Sequence, residues 1–304
     1  MNPLTHVKKI PILPLLIALA LFVVAAAGSA RAGISDFNGD GQPDYVLYNA
    51  NTRQTAIWYL NNNVYVGSAW GPTVPAGWSV VDVADFDRDG HPDYVLQNAN
   101  THQTAIWYLN NNVFIRGAYG PTLPRGWFLG AVGDFNADGN PDYLLYTNGG
   151  SNFPTAIWYM NNNVHVGSAS GPTLPDGWFL RGVADFNGDG KPDFLLWDIF
   201  SIAPSESNRT AIWYLNNNVF LSGRFGWTIP AVWGVVGVAD FDRDGHPDCV
   251  LQNGNTHRTV IWYLNNNVFT RGAFGPTLPP GWNLVTPFAG GTAPSDCAGC
   301  WDYP

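Results

Sequence analysis

Asp36-Phe37-Asn38-Gly39-Asp40-Gly41-Gln42-Pro43-Asp44 recurs four more times along the chain, as DFDRDGHPD from Asp85, DFNADGNPD from Asp134, DFNGDGKPD from Asp185 and DFDRDGHPD from Asp240. The starts lie 49, 49, 51 and 55 residues apart. A period of this size marks one supersecondary unit copied and stacked against its neighbours. Each nonapeptide is followed by an apolar run (YVLY, YVLQ, YLLY, FLLW, CVLQ), then by T-[A/V]-I-W-Y-[L/M]-N-N-N-V, then by a Gly/Pro segment ending in Trp. The Thr of the second motif always stands 30 residues before the next nonapeptide. All length variation therefore falls in the connection between the two apolar runs.

Each unit reads as four short strands. In the second copy Trp78 to Ala84 leads into the nonapeptide, Tyr94 to Gln97 leaves it, and Ala105 to Leu109 with Val113 to Arg116 form a hairpin around Asn110 to Asn112. Asn tolerates left-handed backbone, so the triplet suits a tight turn. The strands are apolar on both faces, with Ile106 and Tyr108 on one side and Ala105, Trp107 and Leu109 on the other. Such a sheet has to be sandwiched between neighbours, as the blade of a propeller is. The first copy lacks a leading strand, with only Gly33 to Ser35 before its loop, while Gly281-Trp282-Asn283-Leu284-Val285 is a surplus one at the other end. The expected fold is all-β, a five-bladed β-propeller of four-stranded blades spanning 33–289, closed by the C-terminal strand. An open solenoid would need polar caps at its ends, and the sequence has none.

The nonapeptide alternates oxygen-bearing side chains at positions 1, 3, 5 and 9, which suits calcium, a hard ion that takes six to eight oxygens. Position 7 varies through Gln42, His91, Asn140, Lys191 and His246, a variety that makes sense if the ligand there is the backbone carbonyl. Glycine at position 6 permits the turn that brings this carbonyl inward. The candidate ligands are Asp36, Asn38, Asp40, Gln42 and Asp44 in the first loop and Asp85, Asp87, Asp89, His91 and Asp93 in the second. They are Asp134, Asn136, Asp138, Asn140 and Asp142 in the third, Asp185, Asn187, Asp189, Lys191 and Asp193 in the fourth, and Asp240, Asp242, Asp244, His246 and Asp248 in the fifth. One Ca2+ per repeat, about five in all, is the expected complement. The Phe at position 2 should anchor each loop to its blade.

Charge agrees with this reading. Of 23 acidic residues, 17 lie in the five loops, and the formal charge is −9. The chain lacks the basic footprint that nucleic acid demands. Lys8 and Lys9 precede the apolar run Ile10 to Ala27, and Ala30-Arg31-Ala32 fits a cleavage site, so residues 1–32 read as a secretory signal peptide. Secretion to the extracellular space, cell surface or periplasm follows, with no membrane span after cleavage. In such a compartment Cys297 and Cys300, in the 290–304 tail, read as a small disulfide rather than a redox pair, because no βαβ pattern surrounds them. Cys249 stands where other copies have Tyr or Phe and reads as a buried small hydrophobe.

The pattern D-F-[ND]-x-D-G-x-P-D followed by an apolar strand resembles the FG-GAP/VCBS repeat of integrin-α-like propellers. That resemblance implies a calcium-stabilised propeller used for adhesion, for recognition of glycans or proteins, or as an accessory to a catalytic domain. No Ser/His/Asp or paired-carboxylate constellation stands apart from the repeat, so no catalytic residue is expected. Two readings compete: a multivalent binding module for carbohydrate or a cell-surface protein, and a structural scaffold. Trp70, Tyr119, Phe225 and Phe274 are candidate stacking platforms for sugar rings, with packing between blades as the alternative use. Ser170 breaks that series and should weaken a platform in the third copy. The long connection from Trp197 to Thr210, with Glu206 and the sequon Asn208-Arg209-Thr210, reads as an insertion loop.

Overall fold

A computed structural model describes residues 34–147, 153–198 and 208–285. The leader, Glu206, Cys297 and Cys300 lie outside the described residues. Among the described residues no helix is long and apolar enough to cross a membrane.

The chain forms five antiparallel four-stranded blades, each a simple meander. In the second blade the strands are Trp78–Ala84, Asp93–Asn98, Gln103–Asn110 and Val113–Thr122. First strands of neighbouring blades touch one another around the ring, which places them innermost. Burial follows that order. Tyr94, Val95 and Leu96 in the second strand are fully enclosed, whereas Val113, Phe114 and Ile115 in the fourth are exposed. A strand buried on both faces reads as a continuous apolar run, as these second strands do. The fourth strand is longer than expected, continuing past Arg116 to Thr122. It can include Pro121 because an outer edge strand does not need that N–H, and the Thr104 hydroxyl donates to the Pro121 carbonyl at 2.8 Å.

Ring closure has a composite strand at its centre. Trp282–Leu284 pairs with Asn49 to Leu47, and Ile34–Ser35 continues the same edge against Tyr45 and Asp44. In each of the other blades the innermost strand carries a bulge at the corresponding point, with Val81, Gly130, Arg181 and Val236 as the extra residues. The chain ends therefore meet where the strand is already interrupted, and the Val285 N–H bridges the gap by donating to the Val46 carbonyl at 2.8 Å.

The Asn triplets do more than turn the chain. Asn62, Asn111, Asn162, Asn217 and Asn266 adopt left-handed φ of 54–57°. Each accepts a hydrogen bond from a tyrosine hydroxyl of the preceding blade: Tyr59 to Asn111, Tyr108 to Asn162, Tyr159 to Asn217, Tyr214 to Asn266 and Tyr263 to Asn62. The next Asn donates back to that blade's outer strand, as Asn112 Nδ2 does to the Trp70 carbonyl at 2.9 Å. Five reciprocal clasps thus run round the ring, the last joining Tyr263 to Asn62. Cys249 is a buried free thiol, pushed well above its ordinary pKa by burial.

Candidate metal centres

Every acidic loop joins the first and second strands of its blade, so all five emerge at one end of the ring, beside the Asn hairpins. The anchoring Phe is buried in each: Phe37, Phe86, Phe135, Phe186 and Phe241. In the first loop the Asp36 carboxylate accepts from the N–H groups of Gly39 at 2.8 Å, Asp40 at 3.1 Å and Gly41 at 2.6 Å. Asn38 Oδ1 accepts from Asp40 N–H and Asp40 Oδ1 from Gln42 N–H, at 2.9 and 2.8 Å. These bonds coil the loop around the Asp36 carboxylate and bring the side chains of positions 3 and 5 into contact. Gly41 at position 6 has φ 82°, open to glycine and strained for other residues.

Position 9 differs in character. Asp44 is fully buried, with Oδ2 accepting from Phe37 N–H at 2.9 Å and Oδ1 from Leu60 N–H at 3.0 Å. Its carboxyl ties the loop to the third strand of the blade. Asp93, Asp142, Asp193 and Asp248 make the same pair of bonds. Burial pushes all five carboxyls up to about 7, with those backbone N–H donors opposing the rise. Burial also raises Asp85 and Asp134. At position 7 the Lys191 side chain turns away to donate to Asn216 Oδ1 at 2.7 Å.

The loops fall into two kinds, a division the sequence reading missed. In the first, third and fourth, the Asn at position 3 donates its amide to the Asp at position 5, as Asn38 does to Asp40 at 3.1 Å. In the second and fifth, position 3 is Asp. Asp85, Asp87 and Asp89 each offer an oxygen within 4.8 Å of the others, and so do Asp240, Asp242 and Asp244. Those two blades also carry an arginine on the outer strand. Arg116 pairs with Asp87 and Arg271 with Asp242, both at 2.7 Å, while each guanidinium lies over a tyrosine ring, Tyr108 or Tyr263. The other carboxylate oxygen of each pair, Asp87 Oδ1 and Asp242 Oδ1, is buried without a hydrogen-bond partner. The signal was available in the sequence, since only these loops combine Asp, Arg and His at positions 3, 4 and 7.

Position 4 was also missed. Arg88, Ala137 and Arg243 hold left-handed φ of 61°, 59° and 62° there. The arginines reach across to the next blade's loop, Arg88 donating to the carbonyls of Asp138 and Gly139 at 2.9 Å and Arg243 to that of Asp40 at 2.7 Å.

The candidate platforms Trp70, Tyr119, Phe225 and Phe274 lie on the outer strands, 68%, 69%, 63% and 54% exposed. Three of them lean on the Trp that opens their own blade: Trp70 on Trp282 at 5.7 Å between centroids, Tyr119 on Trp78 at 6.2 Å and Phe225 on Trp178 at 6.0 Å.

Among curated proteins none matches this chain. Solved structures similar to it include a protein of unknown function from Bacteroides caccae, with 14% identity over 76% of this chain and 73% of that one and a TM-score of 0.41. A functionally unknown protein from Desulfotomaculum acetoxidans DSM 771 aligns at 14% identity over 78% and 67%, with a TM-score of 0.36. The exotype rhamnogalacturonan lyase YesX aligns at 12% identity over 82% and 65%, with a TM-score of 0.33. The model of the FG-GAP-like repeat matches residues 36–96, 134–196 and 185–251. With more than half of its length matched, and with the acidic loop, the following apolar strand and the four-stranded blade recurring five times, the chain belongs to the FG-GAP-like repeat family.

Proposed function

We propose that this propeller is a secreted, non-catalytic binding module whose loops hold calcium and whose rim presents repeated aromatic platforms to a glycan or a cell-surface protein. The observation that carries the calcium reading is the pair of orphaned oxygens, Asp87 Oδ1 and Asp242 Oδ1, inside clusters of three carboxylates. A buried ionised oxygen without a donor is costly, and a hard dication that accepts only oxygens offsets that cost. The side chains at positions 1, 3 and 5 and the carbonyl at position 7 would hold the ion, with the second lone pairs of the position 9 carboxylate closing the set. Bound calcium neutralises the gathered carboxylates and so fixes the loop end of the ring.

Multivalency rests on repetition. Four exposed aromatic residues at equivalent positions place weak sites at fixed spacing, and such sites reinforce one another on a dense surface ligand. The test is calorimetry on protein dialysed free of metal. Calcium should titrate toward five ions per chain and raise the thermal midpoint markedly. A melting curve unchanged between excess EGTA and millimolar calcium would overturn the calcium reading. A glycan array probed with and without calcium then tests the binding reading.

A further inference from the structure

Blade three departs from the others at two positions that lie side by side on the same pair of strands. Where the other blades have Trp70, Tyr119, Phe225 and Phe274, it has Ser170. Where they have Gln54, Gln103, Arg209 and Arg258, it has Pro154. In the first blade Gln54 donates to the Gly71 carbonyl and accepts from Thr73, roofing the outer face. In the fifth, Arg258 lies 3.5 Å over the Phe274 ring. Both kinds of cover are missing in the third blade.

Losing them opens the blade. Ala56, Ala105, Ala211 and Val260 are buried beneath the aromatic residue of their blades, whereas Ala156 is half-exposed. A cleft of about 470 Å3 stands there, floored by Ala156, walled by Trp127 and Trp158, and rimmed by the hydroxyls of Ser168, Ser170 and Thr173. Trp158 is stacked on His165, with ring centroids 4.3 Å apart. In the other blades that position is Tyr or Phe.

The geometry points to a single site for a neutral saccharide in this cleft, with one sugar ring packed against the indoles and its hydroxyls meeting the rim. The cleft lies within the size range of small-ligand sites, ~300–1,000 Å3. No charged side chain lines it, so neither an acidic nor a basic ligand would find a counter-charge. A purely aliphatic occupant would strip water from three hydroxyls and return no hydrogen bond. A pyranose satisfies both surfaces, because its C–H face is apolar and its edge is polar. This inference rests on the binding-module reading but not on the repeated platforms, and it reverses the expectation that Ser170 weakens the third copy.

The probe is an array of immobilised neutral oligosaccharides, followed by calorimetry with the methyl glycoside of the best hit on the calcium-loaded full chain. The expected result is one site per chain tighter than any the repeated platforms offer, with quenching or shift of tryptophan fluorescence as it fills. Ser170→Tyr restores the cover that the second blade already tolerates, so it should fold with an unchanged thermal midpoint and lose at least tenfold in affinity. Trp127→Phe should weaken binding without abolishing it. Saccharide binding untouched by Ser170→Tyr but lost on changing Trp70, Tyr119, Phe225 and Phe274 to Ala overturns this site and leaves the multivalent module standing. Binding of no neutral saccharide, or of a proline-rich peptide in its place, overturns the assignment of ligand class.

Discussion

At the scale of single residues, two kinds of force hold the acidic loop: turn geometry within the nonapeptide, and contacts that reach it from other strands and blades. Gly at position 6 could be read because its turn is local. The left-handed backbone at position 4 could not, since Gly39, Arg88, Ala137, Gly188 and Arg243 look unconstrained in a row. Thr55 and Gly71 were equally silent, although both recur in every copy. Their reason is a contact across a bulged strand pair: the Thr55 hydroxyl donates to the Pro72 carbonyl at 2.7 Å, and a Cβ on Gly71 would stand 2.4 Å from that hydroxyl. Position 4 yields a direct expectation. Arg88 and Arg243 hold strained φ while clasping the neighbouring loop, whereas Ala137 has the same φ of 59° and no side-chain hydrogen bond to offset it. Left-handed backbone costs a residue with a Cβ about 1–2 kcal/mol, and glycine's greater freedom when unfolded returns part of that. Ala137→Gly should therefore stabilise the chain by roughly 0.5–1 kcal/mol, a rise of about 2 °C in the thermal midpoint by calorimetry.

Among the elements, the acidic loops are not five equal copies. Asp87 and Asp242 give their loops a fourth carboxylate, and Arg116 and Arg271 stand against the added charge. Since calcium affinity follows the ligand charge count, titration of metal-free protein should resolve two tighter sites and three weaker ones. Asp87→Asn should convert the second loop to the amide kind, weakening one tight site roughly tenfold while the other stays. A single set of identical sites in both proteins would contradict this. The buried position 9 carboxyls add a dependence on pH. Their pKa is raised to about 7 from 3.8, so folding favours the protonated form. The stability they contribute is complete below the unfolded value and lost as pH rises through the folded one. Metal-free protein should accordingly melt at falling temperature between about pH 4 and 7. Calcium favours ionised carboxylates and should flatten that slope. Thermal scans across this range, with and without calcium, read both arms.

For the whole molecule, blade count, strand number and closure by the C-terminal strand could be read from the period and from the mismatched ends. The Tyr-to-Asn clasps could not, because each joins residues that are neighbours only once the ring exists. Residues 62 and 263 meet as blade five returns to blade one. Closure makes the last described strand a test of the architecture. Leu284 and Val285 are buried, and Trp282 packs against the same core as Tyr45 and Leu47. Removing residues 282–304 would uncover Leu47, Tyr48 and Asn49 along the ladder they now share with Trp282–Leu284. Burial of side chains of this size contributes about 1.5–3 kcal/mol each, and a freed inner edge offers unpaired N–H and C=O groups to other chains. The shortened protein should melt well below the intact one and aggregate on heating. A chain ending at residue 285 keeps the composite strand and should melt well above the one ending at residue 281. Light scattering during a thermal ramp separates the two, and equal melting of both truncations would show that the ring does not depend on this closure.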